Sequence, residues 1–154
     1  MHMDYTAVIE IPKGTDRRVH AARDKNGFVD LGPIIEHVPV NKGVMPVHYG
    51  YIPETLNSED EDEVDVIVFS NKTYKTGDVV EIKILEMLVR ADGDNKVIAR
   101  DDSVSDTVFE DTKDSERKLV VDFMGYTSAV VSIQAREETM KYLKSCLFNP
   151  KPIS

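Results

Sequence analysis

Asp60-Glu61-Asp62-Glu63, the last four of five consecutive acidic residues, run directly into Val64-Asp65-Val66-Ile67-Val68-Phe69, an almost unbroken apolar segment of strand length. No other stretch constrains the fold as tightly, because such a segment calls for burial while the acids beside it must stay hydrated or be neutralised. In extended chain Asp60 and Asp62 point to one side, and Asp65 joins them only through a kink or turn. Three carboxylates brought together repel one another unless cations lie between them. A metal site is one reading of these acids. A solvated acidic loop entering a strand is the other, and spacing by itself favours the loop.

Around this segment, 154 residues with 41% hydrophobic content supply enough material for the core of one domain over residues 1–154. The formal charge of -9 argues against a nucleic-acid or anionic-membrane partner, since those surfaces reward clustered Lys and Arg. An anionic substrate would have to arrive with metal. Cys146 is the only cysteine, which leaves no intrachain disulfide and no Cys-based zinc site and fits a reducing compartment, with the cytoplasm as the expected location. No run approaches the ~18 apolar residues of a membrane-spanning helix, and the start lacks a basic segment followed by an apolar one.

Tyr5 to Ile11 reads as a strand ended by Pro12 and Gly14, with Glu10 as its odd charge, either facing water or held by a partner. The basic island Asp16 to Arg23 leads to the Asn26-Gly27 turn signal and belongs on a hairpin with Phe28 to Leu31. Ile34 to Val40 offers another extended piece and contains His37. Tyr49-Gly50-Tyr51, with prolines on both sides, suggests a constrained segment where backbone or ligand comes close. Val79 to Val89 alternates like a strand with one wet face. Arg90 to Lys96 is a polar turn into Val97-Ile98-Ala99, repeating the acid-then-apolar arrangement of residues 60–68, and neither acidic loop has the EF-hand pattern.

Beyond a polar excursion over 101–116, Arg117 to Val121 is expected to recover a strand. Gln134 to Cys146 is the best helix, with Met140, Leu143 and Leu147 at helical spacing and a Glu137–Lys141 pair. Five or more short strands and a helix near the end favour a mainly β, α+β domain built as a compact antiparallel barrel with a helix attached.

Val8-Ile9-Glu10-Ile11-Pro12-Lys13-Gly14, His48-Tyr49-Gly50-Tyr51-Ile52, Asp60 to Val66 and Asp94-Asn95-Lys96, in that order, resemble the family I soluble inorganic pyrophosphatases. The likeness runs from about Thr6 to Ala99 and is weaker near Tyr126. It implies a five-stranded OB-like barrel with flanking helices, Mg2+-dependent hydrolysis of pyrophosphate to two phosphates, and a homo-oligomer. By the same resemblance Asp60, Asp62, Asp65 and Asp94 match metal-binding aspartates and Glu10 the glutamate of that cluster, while Asp62 matches the group that takes a proton from the attacking water. Lys96 and Tyr49 match phosphate contacts, and Arg18 stands where a phosphate-binding lysine is usual. This chain departs from the pattern at His20 for a glutamate, at His37 for a phosphate-binding arginine, at Met45 for a tyrosine, and at Thr127 for the lysine of a Tyr-Lys pair. Asp92 stands in for an earlier metal aspartate only if the short loop before Asp94 bends differently.

Oxygen-only ligands favour hard Mg2+ or Mn2+, and clustered metal lowers the pKa of bound water while bridging phosphate oxygens to carboxylates. The expected substrate contacts are Arg18, Tyr49, Lys96 and Tyr126, with His37 as a weaker, pH-dependent substitute for arginine. Active pyrophosphate hydrolysis is the leading reading. Its rivals are a non-catalytic metal- and phosphate-binding relative and a phosphohydrolase of larger substrates, both motivated by the thinned anion side.

Overall fold

The computed structural model describes residues 3–24, 26–57 and 62–147. In chain order the strands are β1 (Tyr5–Ile11), β2 (Arg17–Ala21), β3 (Phe28–Pro33), β4 (His48–Asn57), β5 (Asp62–Phe69), β6 (Val79–Arg90), β7 (Lys96–Arg100) and β8 (Val130–Gln134). The helices are α1 (Asp114–Met124) and α2 (Arg136–Cys146). Strands β1, β4, β5, β7 and β6 pair in that order and β6 pairs back to β1, closing the expected five-stranded barrel. Strand β8 extends the β6 side, and β2–β3 is the expected separate hairpin. Every neighbour in the ring is antiparallel except β5 and β7, which run parallel. These are the two segments that share the acid-then-apolar arrangement.

Strand alternation sorts the wall into two cores. Ala7, Ile9, Ile52, Val64, Val66, Val68, Ile82, Ile84, Val97 and Ala99 come from all the ring strands and fill the barrel, with Leu143 of α2 packed among them. Tyr49, Ile67, Phe69, Leu88 and Ile98 face outward under Val120, Phe123 and Met124 of α1. Val64, Val66 and Val68 thus turn inward while Asp65 shares the outer face with Ile67 and Phe69. The constrained feel of Tyr49-Gly50-Tyr51 has a backbone cause. A Cβ on Gly50 would stand 1.9 Å from the Val8 carbonyl oxygen of β1.

Two expectations are corrected. Residues Arg117 to Val121 lie inside helix α1, whose buried Val120, Phe123 and Met124 have the i, i+3, i+4 spacing of a helix face that a window closed at Val121 misses. Asp114 and Glu116 in its first turn suit the positive end of the helix dipole. Ile34 to Val40 is not extended. Its residues form 3-10 turns at Ile34–Glu36 and Val40–Gly43, and Gly43 at φ +72° packs so tightly that a Cβ there would stand 2.5 Å from Ile35 Cβ. No helix among the described residues is long and apolar enough to cross a membrane.

At the start of β4, buried His48 accepts the Lys13 N–H on Nδ1 at 3.0 Å and meets the Lys72 carbonyl with Nε2 at 3.1 Å, which fixes the proton on Nε2. Burial, ahead of the opposing Lys72 carbonyl and the reinforcing Lys13 charge, holds its pKa below 6.5. The unfolded chain therefore protonates this ring at higher pH than the folded chain. The stabilisation is complete above about pH 6.5 and is lost as pH falls from there toward the lower folded-state value.

Two outcomes are expected. Gly50→Ala should destabilise by about 3 kcal/mol, because backbone rather than a flexible side chain blocks the new Cβ; chemical denaturation measures it, and a loss under about 1 kcal/mol would contradict the close approach. The neutral variant His48→Gln should melt below wild type near neutral pH, with the gap narrowing as the buffer is taken to about pH 5. A gap that stays constant would exclude His48 as a contributor to the acid sensitivity.

Candidate active site

The parallel register of β5 and β7 sets Asp65 directly beside Lys96, and the β4–β5 ladder sets Tyr49 beside Ile67 on the same outer face. The Lys96 ammonium donates to Tyr49 Oη at 2.7 Å, to Asp65 Oδ2 at 2.7 Å and to Asp94 Oδ2 at 2.9 Å. These bonds account for all three of its N–H donors. Its side chain is 5% exposed, against 20% for Asp65 and 29% for Asp94. Burial would lower the lysine pKa, but Tyr49, Asp65 and Asp94 outweigh it and the pKa is raised. Burial pushes Asp65 up to about 7, with Lys96 opposing and neighbouring Asp94 adding to the rise. For Asp94 burial acts upward too, yet Lys96, the Asp65 carboxyl and Arg90 together hold it low. Burial raises the Tyr49 phenol well above its ordinary value, so it remains a protonated donor.

Tyr49, Asp94 and Lys96 of this cluster line a cavity of about 240 Å3, and Asp65 stands behind them against the ammonium. Arg18 and His20 from the β2–β3 hairpin, His37 from the turn after β3, Arg90 from β6 and Thr127 line it with Tyr49, Asp94 and Lys96. Arg18 Nη1 donates to His37 Nε2 at 2.9 Å, since a guanidinium can only donate. Glu10 is buried and held by partners. It accepts the Ala21 N–H at 2.7 Å, and His20 Nδ1 stands 3.8 Å from it. Burial, then Arg18 and Lys96, lower the His20 pKa while Asp62 and Asp94 act against them, so Asp62 lies within electrostatic reach of the cavity.

The expected site residues are not all gathered. Asp62 is exposed at the entrance to β5, where its Oδ1 accepts the Glu63 N–H at 2.9 Å. Asp60 lies outside the described residues. Asp92 turns Oδ1 to the Asp94 N–H at 3.0 Å and Oδ2 toward Arg90 Nη2 at 3.5 Å. Tyr126 is 54% exposed and off the cavity wall, which Thr127 lines instead. Arg90 is the residue that sequence reasoning missed. It ends a strand in what reads as a polar turn, and nothing local signals that its side chain is only 7% exposed.

Among the described residues no group of three or more His, Cys, Asp or Glu side chains converges closely enough to hold a metal ion. Asp65 and Asp94 nevertheless adjoin around one ammonium, and Asp94 Oδ1 is buried without a hydrogen-bond partner. An orphaned carboxylate oxygen beside a second carboxylate, with oxygen donors only, fits a hard divalent cation.

A family model described as inorganic pyrophosphatase matches residues 7–145 of this chain. The inorganic pyrophosphatase of Sulfolobus acidocaldarius is 30% identical over 110 residues, which cover 70% of this chain and 60% of that protein. That of Saccharolobus solfataricus is 32% identical over 109 residues, covering 69% and 60%. The chain thus spans about three fifths of the length of these curated relatives. The crystal structure of inorganic pyrophosphatase from Ehrlichia chaffeensis superposes with a TM-score of 0.79 at 23% identity, covering 92% of each chain, which shows the shared fold.

Removing the central ammonium tests how this cluster is held. Lys96→Met in metal-free protein should lose about 3 kcal/mol, the low end for breaking a buried ion pair because both carboxylates keep some exposure. Adding Asp65→Asn should recover part of that loss by relieving the Asp65–Asp94 repulsion. Urea unfolding checks both, and a Lys96→Met chain as stable as wild type would show that the carboxylates do not depend on the lysine.

Proposed function

Because this chain belongs to the inorganic pyrophosphatase family, we propose that it hydrolyses inorganic pyrophosphate to two phosphates in a reaction dependent on a divalent metal ion, Mg2+ with Mn2+ as the alternative. The observation that carries this reading is the Asp65–Lys96–Asp94 cluster, whose Asp94 and Lys96 line a cavity that also bears Arg18 and Arg90. Carboxylates to hold cations and cations to hold an anion thus meet in one place. The single Cys146 supports a reducing compartment such as the cytoplasm, and the family resemblance supports a homo-oligomer.

Asp62, Asp65 and Asp94, with Asp60, are the residues that would hold the metal. When bound, it lowers the pKa of water and offsets the charge of the anion. Asp62, exposed at the strand entrance, is assigned to take the proton from the attacking water. The water oxygen forms the new bond to phosphorus, and the bridging P–O bond breaks to leave a second phosphate. Lys96 uses its three donors on Tyr49, Asp65 and Asp94, and one of them would become available to a phosphoryl oxygen if Asp65 or Asp94 were held by the metal instead. Tyr49 accepts from Lys96 and keeps its own proton to donate into the cavity. Arg18 and His37 form a linked pair at the rim. Glu10, engaged by the Ala21 N–H, holds the hairpin that carries Arg18 over the cavity. Exposed Tyr126 takes no contact in this reading.

Phosphate release from pyrophosphate should appear with Mg2+ and vanish without it, and Asp62→Asn should lower the rate by about 10^2- to 10^4-fold at unchanged melting temperature. A folded, metal-loaded wild-type chain with no turnover overturns the reading.

A further inference from the structure

Leu88 pairs with Lys96 across the β6–β7 ladder and faces the outer core, and strand alternation carries Arg90 to that face at the cavity. The guanidinium is anchored by four bonds. Nη2 donates to Thr127 Oγ1 at 2.9 Å and to Asp92 Oδ2 at 3.5 Å, Nη1 to Asp94 Oδ2 at 3.3 Å, and Nε to the Ser128 carbonyl at 3.4 Å. Both carboxylate contacts are longer than the ~2.7–2.9 Å of a tight charge-assisted bond, and Thr127 is the closest partner. A guanidinium carries five N–H donors. Four are engaged here, and one on Nη1 has no partner among the described residues. Lys96, by contrast, has no donor left, and Arg18 lies out at the rim. A buried cation with a spare donor in a cavity wall is suited to an incoming anion.

We propose that Arg90 is a substrate-binding residue that donates to a phosphoryl oxygen at the Thr127 side of the cavity. Its guanidinium comes from β6 and stands against the Thr127 hydroxyl at 2.9 Å. This rests on the pyrophosphatase reading and adds a contact to it. The competing role is purely mechanical, with Arg90 strapping the 92–94 turn to residues 127–128. A strap affects stability, whereas an anion contact affects substrate affinity and can be replaced by another cation.

The test measures steady-state pyrophosphate hydrolysis at saturating Mg2+ and calorimetric binding of imidodiphosphate, a non-hydrolysed analogue. The proteins are wild type, Arg90→Gln, Arg90→Lys and Arg90→Gln combined with Thr127→Lys. Arg90→Gln should raise KM and the analogue Kd by about 10- to 100-fold, with a smaller change in kcat. Arg90→Lys should lie between it and wild type, and Thr127→Lys in the Arg90→Gln background should recover much of the lost affinity. Unchanged KM and Kd in Arg90→Gln, or a double variant as weak as the single one, overturns the proposal and leaves the strap. Should Arg90→Gln not fold, the neutral variant Arg90→Met serves the same comparison, and wild-type KM and Kd in that variant overturn the proposal. A wild-type chain that neither hydrolyses pyrophosphate nor binds the analogue overturns the pyrophosphatase reading itself, an outcome distinct from an active wild type indifferent to Arg90.

Discussion

The bond set around the Lys96 ammonium is what the site depends on, and it exists only because β5 and β7 run parallel in one register. Slipping β5 by one residue would turn Asp65 into the barrel interior and bring Val64, Val66 and Val68 out, leaving Lys96 on the outer face without its partner. The apolar alternation of β5 thus enforces the position of its one internal charge. Burial of Val64, Val66 and Val68 inside the ring leaves Asp65 no face but the outer one. There the charge is matched by a lysine from the neighbouring strand rather than by water. The close approach of β1 to Gly50 keeps β4 tight against the ring and fixes where Tyr49 meets that lysine.

Much of this was legible in the sequence, and the reasons for success and failure differ. The strands at 5–11, 62–69 and 79–90 have strong apolar content, and the Asn26-Gly27 hairpin has specific turn chemistry, so local patterns suffice. The repeated acid-then-apolar arrangement was visible, but nothing local states that two such segments pair, or pair parallel. Helix α1 is hidden because its buried stripe begins at Val120 and continues through Phe123 and Met124, beyond the apolar run that ends at Val121. Arg90 was hidden for another reason. Its burial is decided by Thr127 and Ser128, more than thirty positions away, which no window along the chain contains.

The site also runs against the character of the whole protein. A chain of net charge -9 repels an anion at long range, yet Arg18, Arg90 and Lys96 converge on one cavity. At physiological ionic strength charges farther than about 8 Å apart are largely screened, so the repulsion of the body fades while the contacts inside the cavity keep their strength. Within that short range two of the three cations are already committed. Lys96 is saturated, and Arg18 is joined to His37. Affinity for a compact polyanion therefore turns on which donors can be released and which are spare, rather than on how many basic residues the sequence contains. A histidine at 37 and a threonine at 127 therefore matter less for the charge they lack than for the donors they engage, since His37 takes one from Arg18 and Thr127 takes one from Arg90.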